Sequence, residues 1–285
     1  MCGILGLYKF NNTLDKTCLN NLFHNMIHEL NHRGPDDQGI LHLNKVSLGH
    51  TRLSIIDIEN NTQPLSKKPL SIVYNGELYN FNYLKKRILK DVNFKTRGDT
   101  EVILELYKKF GLDMNKYCNG MYAFSVYDSL KDELYISSDP TGIKPIYYFH
   151  NKDFFIFSSE LRTLISGIKS LNISLTINDY GIYSNLVLGC QNKNNTLIKE
   201  IKKFTPGGRL LIKNNTVKEL SAFKLSPSKH SVKNLNDATE KLDCILDEVI
   251  QRQMIADVPI GFFLSGGIDS SILVAKAAQK FTKIN

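Results

Sequence analysis

The amino-acid sequence predicts an α+β fold of layered antiparallel sheets and helices, followed by the start of a second, α/β domain. The first part contains many short stretches of strand-like composition, and amphipathic helical patterns flank them. Short strands with flanking helices are typical of layered antiparallel sheets and not of a βαβ winding. The second part contains a helical pattern, an all-apolar run and a Gly-Gly loop in that order, which indicates a parallel sheet buried on both faces.

The periodicity of the apolar residues predicts the order of the elements. We expect helices over residues 17–31, 81–89 and 100–110, the last with Asp99 at its N-cap. We expect strands over residues 3–8, 46–57, 70–74, 121–127, 133–137, 146–149, 154–158 and 209–212. Asn75-Gly76-Glu77 follows the strand over 70–74 and has the composition of a turn.

The composition changes near residue 213 and again across residues 226–230, which predicts three parts. The first domain covers residues 2–215, a linker covers 216–234, and a second domain covers 235–285. In the second domain we expect a helix over residues 236–254, a buried strand over 258–264 and a final helix. About 50 residues with one strand and two helices are expected to be too few to bury a core alone.

Bulk composition excludes several classes of protein. Hydrophobic residues make up 42% and charged residues 22% of the chain, as in ordinary globular proteins. No apolar run reaches the roughly 18 residues of a membrane span, and the N-terminus lacks the features of a signal peptide. The five cysteines are too scattered for a disulfide framework or a zinc site, which favours a reducing cytoplasm. The net charge of +8 comes mostly from dispersed lysines, so we expect neither a nucleic-acid nor a membrane partner.

Met1-Cys2-Gly3 begins the chain and offers a candidate nucleophile. Removal of Met1 would leave Cys2 with a thiol and a free α-amino group on one residue. This amine titrates near about 7.7–8.0, so a neutral fraction is available to take the thiol proton without a histidine. A Met-Cys start alone is more often an accident of translation. The strand pattern that follows holds the terminus in a core, which favours the catalytic interpretation.

Further stretches carry the groups of a pocket for a ligand with a carboxylate, an ammonium group and an amide. Arg52, in a predicted strand, has a guanidinium that can hold a carboxylate through two parallel hydrogen bonds. Asn75 and Gly76 offer an amide side chain and a backbone N–H, which suit an oxyanion hole. Glu77 and Asp99 offer carboxylates for the ammonium group. Structural alternatives exist, since partly buried arginines commonly support packing and Asn-Gly is more often only a turn.

Ser265-Gly266-Gly267-Ile268-Asp269-Ser270-Ser271 lies between the predicted buried strand and the final helix. A Gly-Gly loop at this place exposes backbone N–H groups at the positive end of a helix dipole and favours a phosphate. It is not the G-x-x-x-x-G-K-[ST] loop, because no lysine follows the glycines. Asp269 is suited to Mg²⁺.

Taken together, the motifs resemble those of one known family. They are Met1-Cys2-Gly3-Ile4, Arg33-Gly34-Pro35-Asp36, Arg52-Leu53-Ser54-Ile55-Ile56-Asp57, Asn75-Gly76-Glu77-Leu78-Tyr79-Asn80 and Gly98-Asp99-Thr100-Glu101. These stretches resemble the glutaminase domain of glutamine-dependent asparagine synthetases. Residues 264–271 are similar to the pyrophosphate loop of the synthetase domain of the same family.

The resemblance implies an N-terminal-nucleophile αββα sandwich of the type 2 glutamine amidotransferases, followed by a Rossmann-like α/β ATP pyrophosphatase domain. It implies conversion of ATP, aspartate and glutamine to asparagine, glutamate, AMP and pyrophosphate by a cytoplasmic homodimer. The implied catalytic residues are Cys2, Asn75 and Gly76. The implied glutamine-binding residues are Arg52, Leu53, Ser54, Ile55, Ile56, Asn75, Gly76, Glu77 and Asp99. The implied ATP-binding residues are Phe263, Ser265, Gly266, Gly267, Asp269 and Ser270, with Mg²⁺ at Asp269.

The chain departs from the family pattern in two ways. Ser138 stands where the family has an arginine, before the stretch Asp139-Pro140-Thr141-Gly142-Ile143-Lys144-Pro145. The loss of that charge puts local packing in doubt. The synthetase domain of the family is also much longer than residues 235–285, so we expect the glutaminase half complete and the synthetase half in part.

Two alternatives stay open. A glutamine amidotransferase of the phosphoribosyl or hexosamine-phosphate type would share the Cys2 start, but Arg33-Gly34-Pro35-Asp36 and the loop over 265–271 disfavour it. The chain could instead be a stand-alone glutaminase, or a non-catalytic truncated paralogue that binds glutamine or a full-length subunit. The complete set of pocket residues argues against decay of the first site.

Overall fold

A computed structural model describes residues 1–11, 14–192, 194–223 and 232–281. The chain divides into two compact units. The first comprises Met1–Ser54 and Glu59–Lys224, and the second comprises Ile55–Ile58 and Leu225–Asn285.

The described residues of the first unit form two six-stranded antiparallel sheets and five α-helices. The strands are β1 (Gly3–Lys9), β2 (Asp37–His42), β3 (Val46–Arg52), β4 (Leu65–Lys67), β5 (Leu70–Glu77), β6 (Met121–Asp128), β7 (Glu133–Ser138), β8 (Tyr147–His150), β9 (Phe154–Ser158), β10 (Lys202–Lys203), β11 (Arg209–Lys213) and β12 (Thr216–Leu220). The helices are α1 (Lys16–Leu30), α2 (Phe81–Tyr83), α3 (Thr100–Phe110), α4 (Leu161–Ser170) and α5 (Asp179–Leu188). The strand order is β10-β8-β9-β1-β3-β2 in the first sheet and β12-β11-β7-β6-β5-β4 in the second.

The side chains of β1 alternate between two apolar clusters, and this alternation explains why the two sheets stack. Ile4 and Tyr8 belong to the apolar cluster that joins the sheets, with Ile136 of the second sheet. Leu5 and Leu7 belong to a second cluster, formed with residues of α1 and α4. Successive side chains of a strand point to opposite faces, so β1 is buried on both. With α3 packed on β5, the layers are helix, sheet, sheet and helix, which confirms the predicted αββα sandwich.

The helices and strands predicted for the N-terminal part of the chain agree closely with the structure. Helix α1 begins after Asp15, whose carboxylate accepts a hydrogen bond from the Cys18 N–H (2.7 Å) and so caps the helix. Its apolar stripe is buried and consists of Leu19, Leu22, Phe23, Met26, Ile27 and Leu30. The strand expected over residues 46–57 is shorter and ends at Arg52.

Strand β5 runs through Glu77, so the turn predicted for Asn75-Gly76-Glu77 is wrong. These residues pair with Ala123, Tyr122 and Met121 of β6. Pairing with a neighbouring strand outweighs the local preference of Asn-Gly for a turn. Residues 81–89 form a single α-turn followed by a π-type turn over Leu84–Ile88.

Asp99 is the N-cap residue of α3, as predicted, but its side chain makes no capping hydrogen bond. Its backbone is already in the helical region, and its carboxylate makes no bond to the first turn of the helix. The carboxylate instead accepts hydrogen bonds from Tyr74 and Leu78. It therefore belongs to the pocket side of the second sheet.

Residues 216–220 fall in the predicted linker but form β12, which pairs with β11. The linker residues 224–231 lie outside the described part of the chain.

The second unit contains α6 (Leu235–Gln253) and α7 (Ile268–Lys280). Asn234 caps α6 by accepting from the Asp237 N–H (2.9 Å). Lys276 of α7 pairs with Asp243 (2.8 Å) and Asp247 (2.6 Å) of α6, and these ion pairs tie the two helices together.

The strand predicted over residues 258–264 is absent from the described second unit, where these residues form no ladder. Phe263 and Leu264 are exposed. A parallel strand needs neighbouring strands to satisfy its backbone groups, and the described residues of this unit supply none. Among all described residues, every helix is too short or too polar to span a bilayer.

Candidate active site

Cys2 lies immediately before β1, and its main chain is held on both sides. The Cys2 carbonyl accepts a hydrogen bond from Arg33 Nε (2.9 Å). The Gly3 N–H donates to Thr51 Oγ1 (3.1 Å). A terminus fixed in this way presents its side chain in one place, which a catalytic thiol requires.

The Cys2 thiol lies against the backbone of Leu53. The Leu53 N–H donates a hydrogen bond to Cys2 Sγ (3.4 Å), and the thiol donates to the Leu53 carbonyl oxygen (3.7 Å). The next residue, Ser54, donates its N–H to Asp36 Oδ2 (2.7 Å), which fixes the segment after β3. Leu53 therefore contributes main-chain groups beside the thiol, and Ser54 anchors the segment that carries them.

Burial dominates the electrostatics of Cys2. It raises the pKa of the thiol, while the Leu53 hydrogen bond, the terminal amine and Arg52 lower it and Glu77 raises it further. Burial also lowers the pKa of the Met1 amine. The thiol therefore needs a base, and an amine at this terminus is more often neutral than an exposed one.

Arg52 ends β3 and is 4% exposed. Its positive charge stabilises a thiolate at Cys2. The buried guanidinium therefore puts a carboxylate-binding group within electrostatic range of the candidate nucleophile.

Asn75 and Gly76 lie near the end of β5. Asn75 is 1% exposed, and its Nδ2 is buried without a hydrogen-bond partner among the described residues. Buried amide donors are nearly always paired, so this one is available to a ligand. At Gly76 a Cβ atom would lie 2.3 Å from the Met121 carbonyl oxygen, so the close approach of the strands requires glycine.

The Gly76 N–H points away from β6. Two residues earlier, the Tyr74 N–H donates to Gln63 Oε1 (2.6 Å), and the Tyr74 carbonyl oxygen lies 3.1 Å from His50 Nε2. In an antiparallel ladder the N–H and C=O of one residue share a side, and residues two apart share it too. Gly76 therefore presents its N–H on the same side as Tyr74, off the β5–β6 ladder.

Glu77, which is half-buried, and Asp99, which is buried, form a pair of carboxylates. Asp99 accepts from the Tyr74 hydroxyl (2.7 Å) and the Leu78 N–H (2.9 Å). Burial and the charge of Asp99 raise the pKa of Glu77 to about 8, although Lys144 lowers it. Burial also raises the pKa of Asp99 against the effect of its two donors. A cation bound here would relieve the repulsion between the two groups.

Lys144 brings a buried ammonium group to the same cluster and is 5% exposed. Its backbone N–H donates to Asp139 Oδ2 (3.1 Å), and the Asp139 carboxylate also accepts from the Thr141 N–H (3.0 Å). Burial lowers the pKa of Lys144, while Glu77 and Cys2 raise it. The tight loop over residues 139–144 thus places a cation near the thiol and the carboxylate pair.

Sequence reasoning missed Arg33 and Lys144 as members of this cluster. Both lie in motifs that it singled out, but a motif does not show how far its side chain reaches. The sequence offered one signal for each: a charged residue, Arg33 or Lys144, within a motif that has the composition of a turn. At Ser138, the departure from the family pattern, the hydroxyl donates to the Thr205 carbonyl (3.2 Å), so local packing is maintained.

Most residues predicted for the first site lie together in the first unit. These are Cys2, Arg52, Leu53, Ser54, Asn75, Gly76, Glu77 and Asp99. Ile55 and Ile56 fall in the second unit, where the Ile55 carbonyl accepts from the Asp257 N–H (2.9 Å). Their place in a glutamine pocket stays a prediction.

The predicted phosphate loop, within the second unit, has a geometry that fits an anion. Gly266 has φ +80°, a left-handed conformation that favours glycine, and Gly267 is the N-cap of α7. The hydroxyls of Ser265 and Ser270 lie 3.0 Å apart. Backbone N–H groups at an uncovered helix start, with two hydroxyls beside them, suit the phosphates of ATP.

The same loop offers less to a metal ion. Asp269 lies in the first turn of α7 and is exposed. No group of three or more potential metal ligands occurs among the described residues. One carboxylate fits Mg²⁺ only as a partial ligand, because Mg²⁺ usually also uses waters and phosphate oxygens.

Comparison with known proteins agrees with this organisation. Residues 1–223 match the family described as glutamine amidotransferase domain, and residues 241–285 match asparagine synthase. A putative glutamine-hydrolysing asparagine synthetase 2 of Methanocaldococcus jannaschii is 34% identical over 100% of this chain and 58% of its own length. Glutamine-hydrolysing asparagine synthetase 3 of Bacillus subtilis is 31% identical over 99% of this chain and 46% of its own length. The chain thus spans about half the length of these relatives.

Two solved structures share the fold at lower identity. A glutamine phosphoribosylpyrophosphate amidotransferase from B. subtilis has a TM-score of 0.57 and 18% identity, covering 98% of this chain and 64% of that chain. A structure described as the allosteric regulatory enzyme of purine biosynthesis has a TM-score of 0.58 and 18% identity. The match covers 97% of this chain and 63% of that chain. The predicted resemblance is confirmed by the family match and the curated relatives, and the chain belongs to the glutamine amidotransferase family of enzymes.

Proposed function

We propose that this chain hydrolyses glutamine at Cys2 and forms the glutaminase half of a glutamine-hydrolysing asparagine synthetase. The observation that carries the proposal is that the Cys2 thiol lies against the Leu53 backbone at a fixed start of β1, within electrostatic range of Arg52 and Glu77. The names of the curated relatives support the wider function.

In this proposal, the two ends of glutamine are bound by opposite charges. The Arg52 guanidinium holds the α-carboxylate through a two-bond fork, with the backbone of Leu53 and Ser54 beside it. Glu77 and Asp99 hold the α-ammonium group, which replaces their mutual repulsion by attraction. The amide at the other end of glutamine is then directed toward the thiol.

The chemistry proceeds through a covalent intermediate. Cys2 Sγ attacks the amide carbon, and the amine of residue 2 takes the thiol proton. The negative oxygen of the tetrahedral intermediate accepts hydrogen bonds from Asn75 Nδ2 and the Gly76 N–H. The amine returns its proton to the leaving nitrogen, the C–N bond breaks, and ammonia leaves a γ-glutamyl thioester. Water then attacks the thioester, and the products are glutamate and the free thiol.

Removal of Met1 is part of the proposal. With Met1 in place the terminal amine belongs to residue 1, and the nitrogen of Cys2 is a peptide nitrogen that cannot act as a base. The lowered pKa of the Met1 amine supports this role, since a terminal amine in this environment releases its proton more readily.

The second unit is proposed to supply the start of an ATP site for synthesis of asparagine from aspartate. Ser265, Gly266, Gly267 and Ser270 would hold phosphates, with Asp269 toward Mg²⁺ and the backbone near Phe263 toward the base. ATP, when bound, supplies the activation of the carboxylate that ammonia attacks. A cytoplasmic location and a homodimer are proposed on the family resemblance alone.

The experiment is a glutaminase assay without ATP, on chain shown by intact mass to lack Met1. We expect glutamate and ammonia in equal amounts from the parent and no turnover from Cys2→Ala. Cys18→Ala is the matched control, because it removes a partly buried thiol from α1, away from this cluster, and it should keep the parent rate. Turnover by Cys2→Ala at the parent rate would exclude Cys2 as the nucleophile, and a chain that binds glutamine without hydrolysing it would favour the non-catalytic alternative.

A further inference from the structure

The segment after β9 reaches the start of β1. The Ser159 N–H donates to the Ile4 carbonyl (2.9 Å), and the Ile4 N–H donates to Ser159 Oγ (3.0 Å). The next step of the same antiparallel register places Glu160 beside Gly3, one residue from the candidate nucleophile. Glu160 is also the N-cap position of α4, where the chain leaves the sheet.

The Glu160 carboxylate makes three charge-assisted contacts. Oε1 accepts from Arg33 Nη1 (3.1 Å) and faces His32 Nε2 (2.8 Å), and Oε2 accepts from Arg162 Nε (2.9 Å). The Arg33 side chain is 9% exposed, whereas those of His32 and Arg162 are 49% and 61% exposed. Exposed ion pairs contribute little to stability, whereas breaking an ion pair that is shielded from solvent costs much more. Of the three contacts, the one with Arg33 is therefore the one that fixes the position of the Glu160 carboxylate.

Arg33 transmits this contact to the nucleophile. Its Nε donates to the Cys2 carbonyl (2.9 Å), and the N–H of the same peptide group, at Gly3, donates to Thr51 Oγ1 (3.1 Å). With both polar groups of one planar peptide held, the plane itself is fixed. The amine of Cys2 then keeps only the rotation about the Cα–C bond, and the thiol keeps that rotation and the one about the Cα–Cβ bond.

We propose that Glu160 is a positioning residue for Cys2, acting through Arg33. Its charge and shape hold the guanidinium on the Cys2 carbonyl, and thereby hold the amine and the thiol in the arrangement in which one deprotonates the other. None of its hydrogen bonds is to the groups proposed to bind glutamine. Loss of Glu160 should therefore lower kcat and leave KM unchanged. The rate readout rests on the proposed glutaminase function.

The first test compares Glu160→Gln with Glu133→Gln. Glu133 is a matched control, because it is a carboxylate of similar exposure (14%) in an ion pair with Lys213, on the second sheet and far in sequence from Cys2. We expect Glu160→Gln to lower kcat for glutamine by about tenfold with KM changed less than about twofold. Glu133→Gln should leave both constants at the parent values, even if both variants lose similar thermal stability. Unchanged kcat in Glu160→Gln, or a raised KM with unchanged kcat, would overturn the proposal.

The second test does not depend on glutamine. Alkylation of Cys2 by iodoacetamide at neutral pH reports how readily the thiol becomes a thiolate, and we expect it to slow by about threefold in Glu160→Gln. The double variant Arg33→Lys with Glu160→Gln should be no slower than Arg33→Lys alone, since both act in one chain of contacts. Losses that multiply would show that Glu160 acts independently of Arg33 and would overturn the proposal. If the parent fails to hydrolyse glutamine, the proposed function fails, and the alkylation rates still decide the role of Glu160.

Discussion

Glutamine binding should weaken steeply below pH 8, because Glu77 must lose a proton before it can hold an ammonium group. Burial and the neighbouring Asp99 raise the pKa of Glu77 to about 8, so only about one tenth of the free protein has this carboxylate ionised at pH 7. When only the ionised form binds, the apparent Kd increases by about fivefold from pH 8 to pH 7 and by about ninefold more to pH 6. The raised pKa of Asp99 adds to the effect in the same direction.

The assay is calorimetric titration of Cys2→Ala with glutamine at these three pH values, so that no turnover interferes. Repeating the titration at pH 7 in buffers of different ionisation enthalpy should show that glutamine binding releases protons. Glu77→Gln is the control and should bind weakly at every pH with a flatter profile. A Kd that stays within about twofold from pH 6 to pH 8, with no proton release, would refute the reasoning.

The same raised pKa has a consequence for stability. The pKa of Glu77 is higher in the folded protein than its ordinary value of 4.5. The stabilisation from its protonated form is therefore complete below pH 4.5 and is lost as the pH rises through about 8. At pH 8, Glu77→Gln should accordingly unfold at a higher temperature than the parent, although it binds glutamine less well.

Three further predictions concern single side chains. Asn75→Ala should lower kcat for glutamine by about 10²–10³-fold with little change in KM, since its amide acts on the developing oxyanion; a steady-state ammonia assay measures both constants, and an unchanged kcat would exclude the role. Arg52→Lys should raise KM because a point ammonium cannot form the two-bond fork, at a cost of about 2–3 kcal/mol; less than a twofold rise would leave Arg52 a structural role. Lys67→Met should lower the free energy of unfolding by about 1–3 kcal/mol, as the partly exposed Lys67 bridges the buried carboxylates Glu101 (2.7 Å) and Glu105 (2.5 Å) of α3. Urea unfolding measures this last effect, and an unchanged midpoint with unchanged slope would contradict it.

The layers of the first unit could be predicted because its apolar periods are long and unambiguous. The stripe of α1 and the two-faced burial of β1 follow directly from spacing. Local preference failed where a distant segment decides. Pairing with β6 extends β5 through Asn75 and Gly76. Asp99 is the N-cap residue of α3, as predicted, but its carboxylate bonds to the Tyr74 hydroxyl and not to the helix.

The second unit shows the limit of pattern alone. Residues 258–264 have the composition of a strand buried on both faces, but a strand is completed by its neighbours, and the described unit has none for it. The loop before α7 needs only its own glycines and helix start, so its geometry matches the prediction.

In the candidate site, the residues that share a motif were predictable and those that reach in from elsewhere were not. Cys2 and Glu77 stand in motifs whose chemistry is visible in the sequence. Lys144 and Glu160 are separated from Cys2 by more than a hundred residues, and only folding brings Lys144 near the thiol and Glu160 onto Arg33, which bonds to the Cys2 carbonyl. The motif around Lys144 marks a charged turn, but neither local sequence shows which distant residue the side chain will reach.

The most direct test of Cys2 as the nucleophile is to trap the covalent intermediate. Protein lacking Met1 would be mixed with glutamine and quenched in acid during turnover. After digestion, the mass of the N-terminal peptide would be measured by mass spectrometry. We expect a γ-glutamyl thioester on Cys2, absent from chain that retains Met1 and from Cys2→Ala. Full glutamine hydrolysis with no adduct on Cys2, or an adduct on another cysteine, would contradict the proposed chemistry.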